Sequence, residues 1–336
     1  MENPVKTFRV LELFSGIGGM RMALERAGKT FEIVSAIDVN PVANAVYSHN
    51  FGTDTVRNGN ILSLSAEKIS KLNVDTIMMS PPCQPFTRNG KFEDIHDRRA
   101  DPFVHICDLL DQMPKIEFIL MENVKGFEKS EACAMYKERL IQAGFHYQEY
   151  ILSPHQFRVP NTRHRYYCIA KRKSRSFKHA SHDIITDLEN YSTENVLTVG
   201  ELMEQEIPQS FLLKSTTLLK HLPLMDVCTP DSTNSMCFTK AYTHYAEGTG
   251  SVFCPHSRDD FDKIYARAMA AENEVAKEAL LRELHVRYFT PKEVARLMSF
   301  PEYFWFPEST TNKQRYRVLG NSVNVFVVSV LLEELE

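Results

Sequence analysis

No stretch of the 336 residues approaches the ~18 uninterrupted apolar residues that a membrane span requires, so none is expected. The opening MENPVKTFRVLELF has no long apolar run and no small-residue cleavage site, so no signal peptide is expected. The seven cysteines (83, 107, 133, 168, 228, 237 and 254) form no Cys-x-x-Cys pair, are odd in number and lie far apart. That pattern argues against a disulfide framework or structural zinc and for a reduced intracellular setting. Excess positive charge is also missing. Thirty-nine Lys and Arg against 43 Asp and Glu leave a net charge of −4, which excludes a protein that coats DNA non-specifically but leaves room for a local basic groove. The remainder is an ordinary globular composition, 43% hydrophobic and 24% charged, without internal repeats. At about 150 residues per domain the length fits two units or one large one.

The first half alternates strands and helices. Strands are expected at Phe8 to Phe14, Phe31 to Ile37, Val74 to Met79 and Ile116 to Met121. Helices are expected at Gly19 to Ala27, from Asn40-Pro41 (cap and first helical residue), Pro102 to about Met113, and Ser130 to Ala143. Phe145 to Leu152 and Arg165 to Ala170 read as antiparallel neighbours. This alternation predicts an α/β fold with a mostly parallel sheet covered on both faces. After Lys171 the pattern turns irregular and proline-rich, and one long amphipathic helix is expected over Asp259 to Val286. Regular helices return at Pro291 to Met298 and Ser322 to Leu335. The expected division is 1–172, 173–285 and 286–336, with the last segment rejoining the first.

The first strand runs into Phe14-Ser15-Gly16-Ile17-Gly18-Gly19 and then a helix. Such a turn brings a ligand close to backbone N–H groups at a helix start. A dinucleotide fingerprint needs a third glycine where Arg21 stands. The tighter spacing suits a nucleoside without a diphosphate, such as S-adenosylmethionine. Asp38, twenty residues after Gly18, is placed to accept both ribose hydroxyls. Asn60 is expected at an adenine edge and Ile61 against its ring.

The third strand ends in Ser80-Pro81-Pro82-Cys83-Gln84-Pro85-Phe86. Three prolines fix the direction of one thiol, and strand C-terminal ends are where ligands bind in open α/β sheets. The fourth strand ends in Glu122-Asn123-Val124, placing a carboxyl group on the same edge. Asn161-Thr162-Arg163-His164-Arg165 sets two arginines on one face of a strand start.

FSGIGG, PPCQPF, ENV, NTRHR and Gly320-Asn321-Ser322-Val323, in this order, resemble the cytosine-5 methyltransferase family over about residues 8–172 and 287–336. Cys237-Phe238-Thr239-Lys240 with the following Tyr242 to Gly250, and Asn161 where the bacterial DNA enzymes carry Gln, are similar to the eukaryotic type 2 branch, which acts on tRNA. The resemblance implies a Rossmann-like S-adenosylmethionine-dependent fold with a small target-recognition domain. It implies Cys83 as nucleophile with Glu122, Arg163 and Arg165 as catalytic partners. The implied cofactor pocket is Phe14, Gly16, Ile17, Gly18, Gly19, Asp38, Val39, Asn60, Ile61, Ser80, Pro82, Asn321, Ser322 and Val323, with S-adenosylhomocysteine as product.

A thiolate added at carbon 6 makes carbon 5 of cytosine nucleophilic, so Cys83 needs nearby positive charge, for which Arg163 and Arg165 are candidates. Arg165 is also the candidate to hold the cytosine carbonyl, and Glu122 to stabilise ring N3 and the exocyclic amine. The span from Tyr150 to His182 contains no Asp or Glu. Within it Lys171, Arg172 and Lys173 are expected to face phosphates, and Cys237, Phe238, Thr239 and Lys240 to contact nucleic acid. Cys237 reads equally as a neighbour of the nucleophile and as a buried structural thiol. The expected partner is tRNA, with aspartate tRNA implied by the resemblance. DNA is expected at most as a weak secondary substrate, no metal is expected, and the expected state is a monomer in the cytoplasm with some presence in the nucleus. The rivals are a DNA methyltransferase and a non-catalytic nucleic-acid-binding protein.

Overall fold

The structure is a computed structural model that describes residues 6–82, 98–178, 180–188 and 196–335. Cys83, Gln84, Pro85 and Phe86 lie outside the described residues. The first half forms β1 (Phe8–Leu13), α1 (Gly19–Arg26), β2 (Phe31–Asp38), α2 (Pro41–Phe51), β3 (Val56–Asn58), α3 (Ala66–Lys71), β4 (Thr76–Met79), α4 (Asp101–Leu109), β5 (Phe118–Val124), α5 (Glu131–Gln142), β6 (Phe145–Leu152) and β7 (Arg165–Arg172). The expected α/β architecture is present. Seven strands run in the order β3-β2-β1-β4-β5-β7-β6, and β7 is antiparallel to both its neighbours. The order reverses between β1 and β4, and ligands bind in the crevice at such a switch point. Here the crevice lies between the turn after Leu13 and the loop after Met79, which are paired residues. Because β7 runs backwards, its first residue, Arg165, sits opposite Val124 on this same edge.

Alternation along the strands fills two apolar layers. Leu11, Leu13, Ile77 and Ile119 face the layer containing Phe103 of α4 and Tyr136 of α5. Val10, Met78 and Leu120 face the layer containing Ala23 of α1 and Val46 of α2. Asn40 caps α2 by accepting the Val42 N–H, as its place before Pro41 suggested.

The second half contributes α6 (Ser215–His221), β8 (Val227–Cys228), β9 (Val252–Phe253), α7 (Arg258–Met269), α8 (Glu274–Glu283), β10 (Arg287–Tyr288), α9 (Pro291–Leu297), α10 (Asn312–Gly320) and α11 (Val325–Leu331). The three short strands form a second sheet, β10-β9-β8. The single helix expected over Asp259 to Val286 is two helices. The Asn273 side chain caps α8 at the Ala276 N–H, and Phe261 and Leu281 from the two helices share one small core. The last helix begins at Val325 rather than Ser322, because the Asn324 side chain accepts the Val327 N–H. By length and composition Asn312–Leu335 is apolar enough to cross a membrane, but it is divided between α10 and α11 and mostly buried within the protein. Val327, Val328 and Leu331 of α11 share the apolar layer of Ala23 and Leu24 of α1, which returns the chain end to the first strand–helix turn.

Candidate active site

The turn after β1 is shaped for close approach. Phe14, Gly16 and Gly18 have φ values of 53°, 54° and 85°, left-handed conformations that a non-glycine residue such as Phe14 seldom adopts outside functional loops. A Cβ on Gly18 would lie 2.3 Å from the Phe51 ring. A Cβ on Gly19 would lie 2.8 Å from Val323 Cγ2 and 3.0 Å from Ser322 Oγ, so the two chain ends meet here because Gly19 has no side chain. Ile17 is buried. The Asp38 carboxylate ends β2 and accepts the Gly16 N–H at 2.9 Å and the Asn40 N–H at 2.8 Å. Burial raises its pKa, against these backbone hydrogen bonds.

Glu122 is the centre of the opposite rim. It is 6% exposed, its Oε1 lies 3.4 Å from Arg165 Nε, and the Ser80 hydroxyl hydrogen-bonds to it. Burial pushes its carboxyl up, outweighing Arg165, Arg163 and Ser80. Such an acid keeps its proton to higher pH than a solvated one, which suits it to donate to a ring nitrogen. Its neighbour Asn123 places Nδ2 3.5 Å from the Pro81 carbonyl, linking the end of β5 to the loop that carries Pro82 and Cys83.

The two arginines divide the labour that the sequence assigned to both. Arg163 is 3% exposed, and its terminal nitrogens donate to the carbonyls of Phe238 (3.2 Å), Gly320 (3.1 Å) and Ser322 (2.5 Å) and to Cys237 Sγ (3.3 Å). Through its terminal nitrogens Arg163 ties its own segment to 237–238 and 320–322, while its buried Nε has no hydrogen-bond partner among the described residues. Arg165 is the arginine that meets Glu122. It touches Glu122, donates to the His164 carbonyl at 2.7 Å and reaches Cys237 Sγ at 3.8 Å. Burial pushes the Cys237 thiol up, but Arg163 and then Arg165 outweigh it and the net shift is downward.

Cys237 and Phe238 are held against the site by Asn161, which donates to Ser235 Oγ (3.1 Å) and the Met236 carbonyl (3.0 Å). Thr239 and Lys240 cross directly over Gly320, where a Cβ would lie 2.2 Å from Lys240 N. Lys240 is exposed, and Phe238 is buried in the core.

Other expectations change. Lys171 and Arg172 pair with Phe118 and Phe145 at the far ends of β5 and β6, six and seven residues along β7 from Arg165. Lys171 is buried and donates to the Ser176 carbonyl at 2.9 Å. Arg172 donates to the carbonyls of Ile116 (2.7 Å), Met113 (2.7 Å) and Ala143. These two are structural staples, and the phosphate-facing stripe is not built there; Lys173 is exposed at the same remote edge. Ile61 is 4% exposed within the apolar layer, whereas Val39, 73% exposed, presents apolar surface on that rim. Asn60 is exposed and caps the next turn by accepting the Leu62 N–H.

The chain matches the C-5 cytosine-specific DNA methylase family over residues 8–336. It belongs to the cytosine-5 methyltransferase family. Among relatives, it is 46% identical to a Spodoptera frugiperda tRNA (cytosine(38)-C(5))-methyltransferase, covering 97% of this chain and 98% of the relative. It is 38% identical to the Schizosaccharomyces pombe protein of the same name, covering 98% and 97%. The solved Spodoptera frugiperda DNMT2 mutant superposes with a TM-score of 0.90 at 45% identity, covering 98% of this chain and 99% of that one.

Cytosine-5 methyltransferases use S-adenosylmethionine, and the residues here fit it. The left-handed turn bares backbone at Gly16 and Gly18, and Ser15 Oγ is buried with no hydrogen-bond partner among the described residues. Asp38 has acceptor capacity beyond its two backbone bonds, enough for ribose hydroxyls. The roles of Asn123 and Gly320 rest on backbone contacts, which side-chain chemistry does not advertise.

Proposed function

We propose that this cytosine-5 methyltransferase methylates carbon 5 of a cytosine in the anticodon loop of tRNA, position 38 as its relatives are named for, with aspartate tRNA as the preferred species. What carries the reading is the buried Glu122–Arg165 pair at the edge where the cofactor turn after Leu13 and the segment after Met79 leave paired strands, in a chain that spans nearly the full length of such relatives. When bound, S-adenosylmethionine supplies an electrophilic methyl group. Glu122 holds a proton against cytosine N3, and Arg165 donates to the carbonyl oxygen at carbon 2. The Cys83 thiolate would bond to carbon 6, and the electron pair moved onto carbon 5 would take the methyl group, the sulfonium keeping the electrons of the broken sulfur–methyl bond and leaving as S-adenosylhomocysteine. Loss of the carbon 5 proton to a base then expels the thiolate and restores the ring. The turn residues Gly16 and Gly18, with Asp38, Val39, Asn60, Ser322 and Val323 around them, would hold the cofactor.

The target must leave its stack, which costs least in an RNA loop. One relative, 33% identical, is named a DNA (cytosine-5)-methyltransferase, so duplex DNA is proposed as the poorer substrate. A reducing compartment suits the six described free cysteines; a monomer of the cytoplasm with passage to the nucleus is part of the proposal. The test is methyl incorporation from labelled cofactor into tRNA transcripts and duplex DNA, with Cys83→Ala alongside. Incorporation into tRNA, lost in the variant while cofactor binding persists, supports the reading. Equal or better incorporation into duplex, or turnover without Cys83, overturns it.

A further inference from the structure

Two tyrosines three residues apart, Tyr242 and Tyr245, have opposite fates. Tyr242 is 4% exposed; its hydroxyl donates to the Ser251 carbonyl (2.6 Å) and accepts the Phe289 N–H (2.9 Å). Phe238, Tyr316 and Tyr288 meet its ring edge-to-face at 4.9, 5.1 and 5.6 Å. The chain then reverses at Thr243, whose φ of 69° is costly for a β-branched residue. Beyond the reversal Tyr245 is 61% exposed.

The loop is nonetheless fixed. Its neck closes where the Thr239 N–H donates to the Thr249 carbonyl at 2.9 Å, and Thr249 Oγ1 reaches back to the Tyr245 carbonyl at 2.9 Å. The His244 and Tyr245 rings lie 4.5 Å apart at 69°. The foot of the loop is at the active site. Thr239 crosses Gly320, and Cys237, two residues earlier, touches the Arg165 that pairs with Glu122. A large aromatic face is therefore held in water on a strained, preorganised loop beside the site. Bases of unpaired RNA stack on such faces, and a platform rigid before binding loses little entropy.

We propose that Tyr245 is the stacking platform for an unpaired nucleotide flanking the target cytosine, braced by His244, with exposed Lys240 at its foot for the adjoining phosphate. The proposal deepens the tRNA reading and rests on it. Glu247 shares the exposed tip, so the contact is made through the ring rather than by net charge.

The test compares Tyr245→Ala, Tyr245→Phe and Tyr245→Trp on a tRNA transcript that the wild-type protein methylates. Tyr245→Ala should raise the KM for tRNA on the order of ten-fold with kcat and cofactor affinity near wild type. Phe and Trp should stay within about two-fold, since they keep the π-face. With 2-aminopurine beside the target, loss of the target from the stack should brighten it in every variant, and ring stacking should quench it again for wild type and Trp but not for Ala. An unchanged KM and an unchanged fluorescence response in Tyr245→Ala would overturn the proposal, as would Phe behaving like Ala. Should wild type fail to methylate any tRNA, the substrate reading is at fault; tRNA affinity and the 2-aminopurine signal still decide whether Tyr245 stacks.

Discussion

Arg165 Nε lies 3.4 Å from Glu122 Oε1 although neither side chain is more than 14% exposed. A buried pair of this kind costs desolvation and is weak evidence for stability, so its place at the ligand edge of the sheet points to chemistry. Arg165→Lys keeps the charge and loses the planar fork. It should lower kcat about 100-fold, the scale of one oxyanion donor, while cofactor affinity stays within about two-fold. Steady-state kinetics with isothermal titration of the cofactor checks this; equal losses in both would make Arg165 a structural residue.

Gly320 should not tolerate a methyl group. Its Cβ would fall 2.2 Å from Lys240 N and 2.3 Å from Thr239 C, both backbone. Gly320→Ala must push the 237–240 segment away from Arg165 or move the end of α10. A cost of about 1–3 kcal/mol is expected, with a drop in activity larger than the drop in melting temperature explains. Calorimetry and activity measured on the folded fraction would show it.

Glu12 gives the protein a pH-dependent stability. It is fully buried on β1; Tyr47 donates to one carboxylate oxygen at 2.5 Å, and the other has no partner among the described residues. Burial pushes its pKa from 4.5 up to about 7, against Tyr47 and Arg21 and with Glu25 adding to it. Between those values the folded protein holds a proton that the unfolded chain has released. Stability from this group is therefore full below pH 4.5 and is lost as pH rises through about 7, a change of about 3 kcal/mol. Glu12→Gln should flatten the difference between denaturation at pH 5 and pH 8 by about that amount.

Arg172→Ala should destabilise without touching RNA binding. It removes charge-assisted hydrogen bonds to the carbonyls of Met113, Ile116 and Ala143, worth about 2 kcal/mol in a partly exposed setting. The salt dependence of tRNA affinity should be unchanged, because the side chain is bound to protein. A shallower salt slope would return Arg172 to the interface.

The elements that sequence reading missed share a cause. Asn312–Gly320 opens with Thr311 and Gln314 in a reciprocal capping box, a signal present in the sequence but attached to a helix too short and polar for its periodicity to stand out. The helix expected over Asp259 to Val286 split because both halves show the same apolar face, and only Asn273 marks the break. The basic run at 171–173 looked like one surface because sequence records charge and not direction. The register of β7 sends it to the end of the sheet opposite Arg165.

The order of strands and helices, the glycine turn, the placement of Asp38, Ser80 and Glu122 at strand ends and the family itself were set by local pattern: apolar periodicity, caps and motif spacing all act within a few residues. Tertiary structure alone decided which arginine pairs with Glu122 and which ties chain segments together, that Cys237 touches both, and that Tyr242 is buried while Tyr245 is bare. Those outcomes depend on backbone carbonyls and close approaches from segments about 75 to 160 residues away, and a carbonyl looks the same at every position of a sequence.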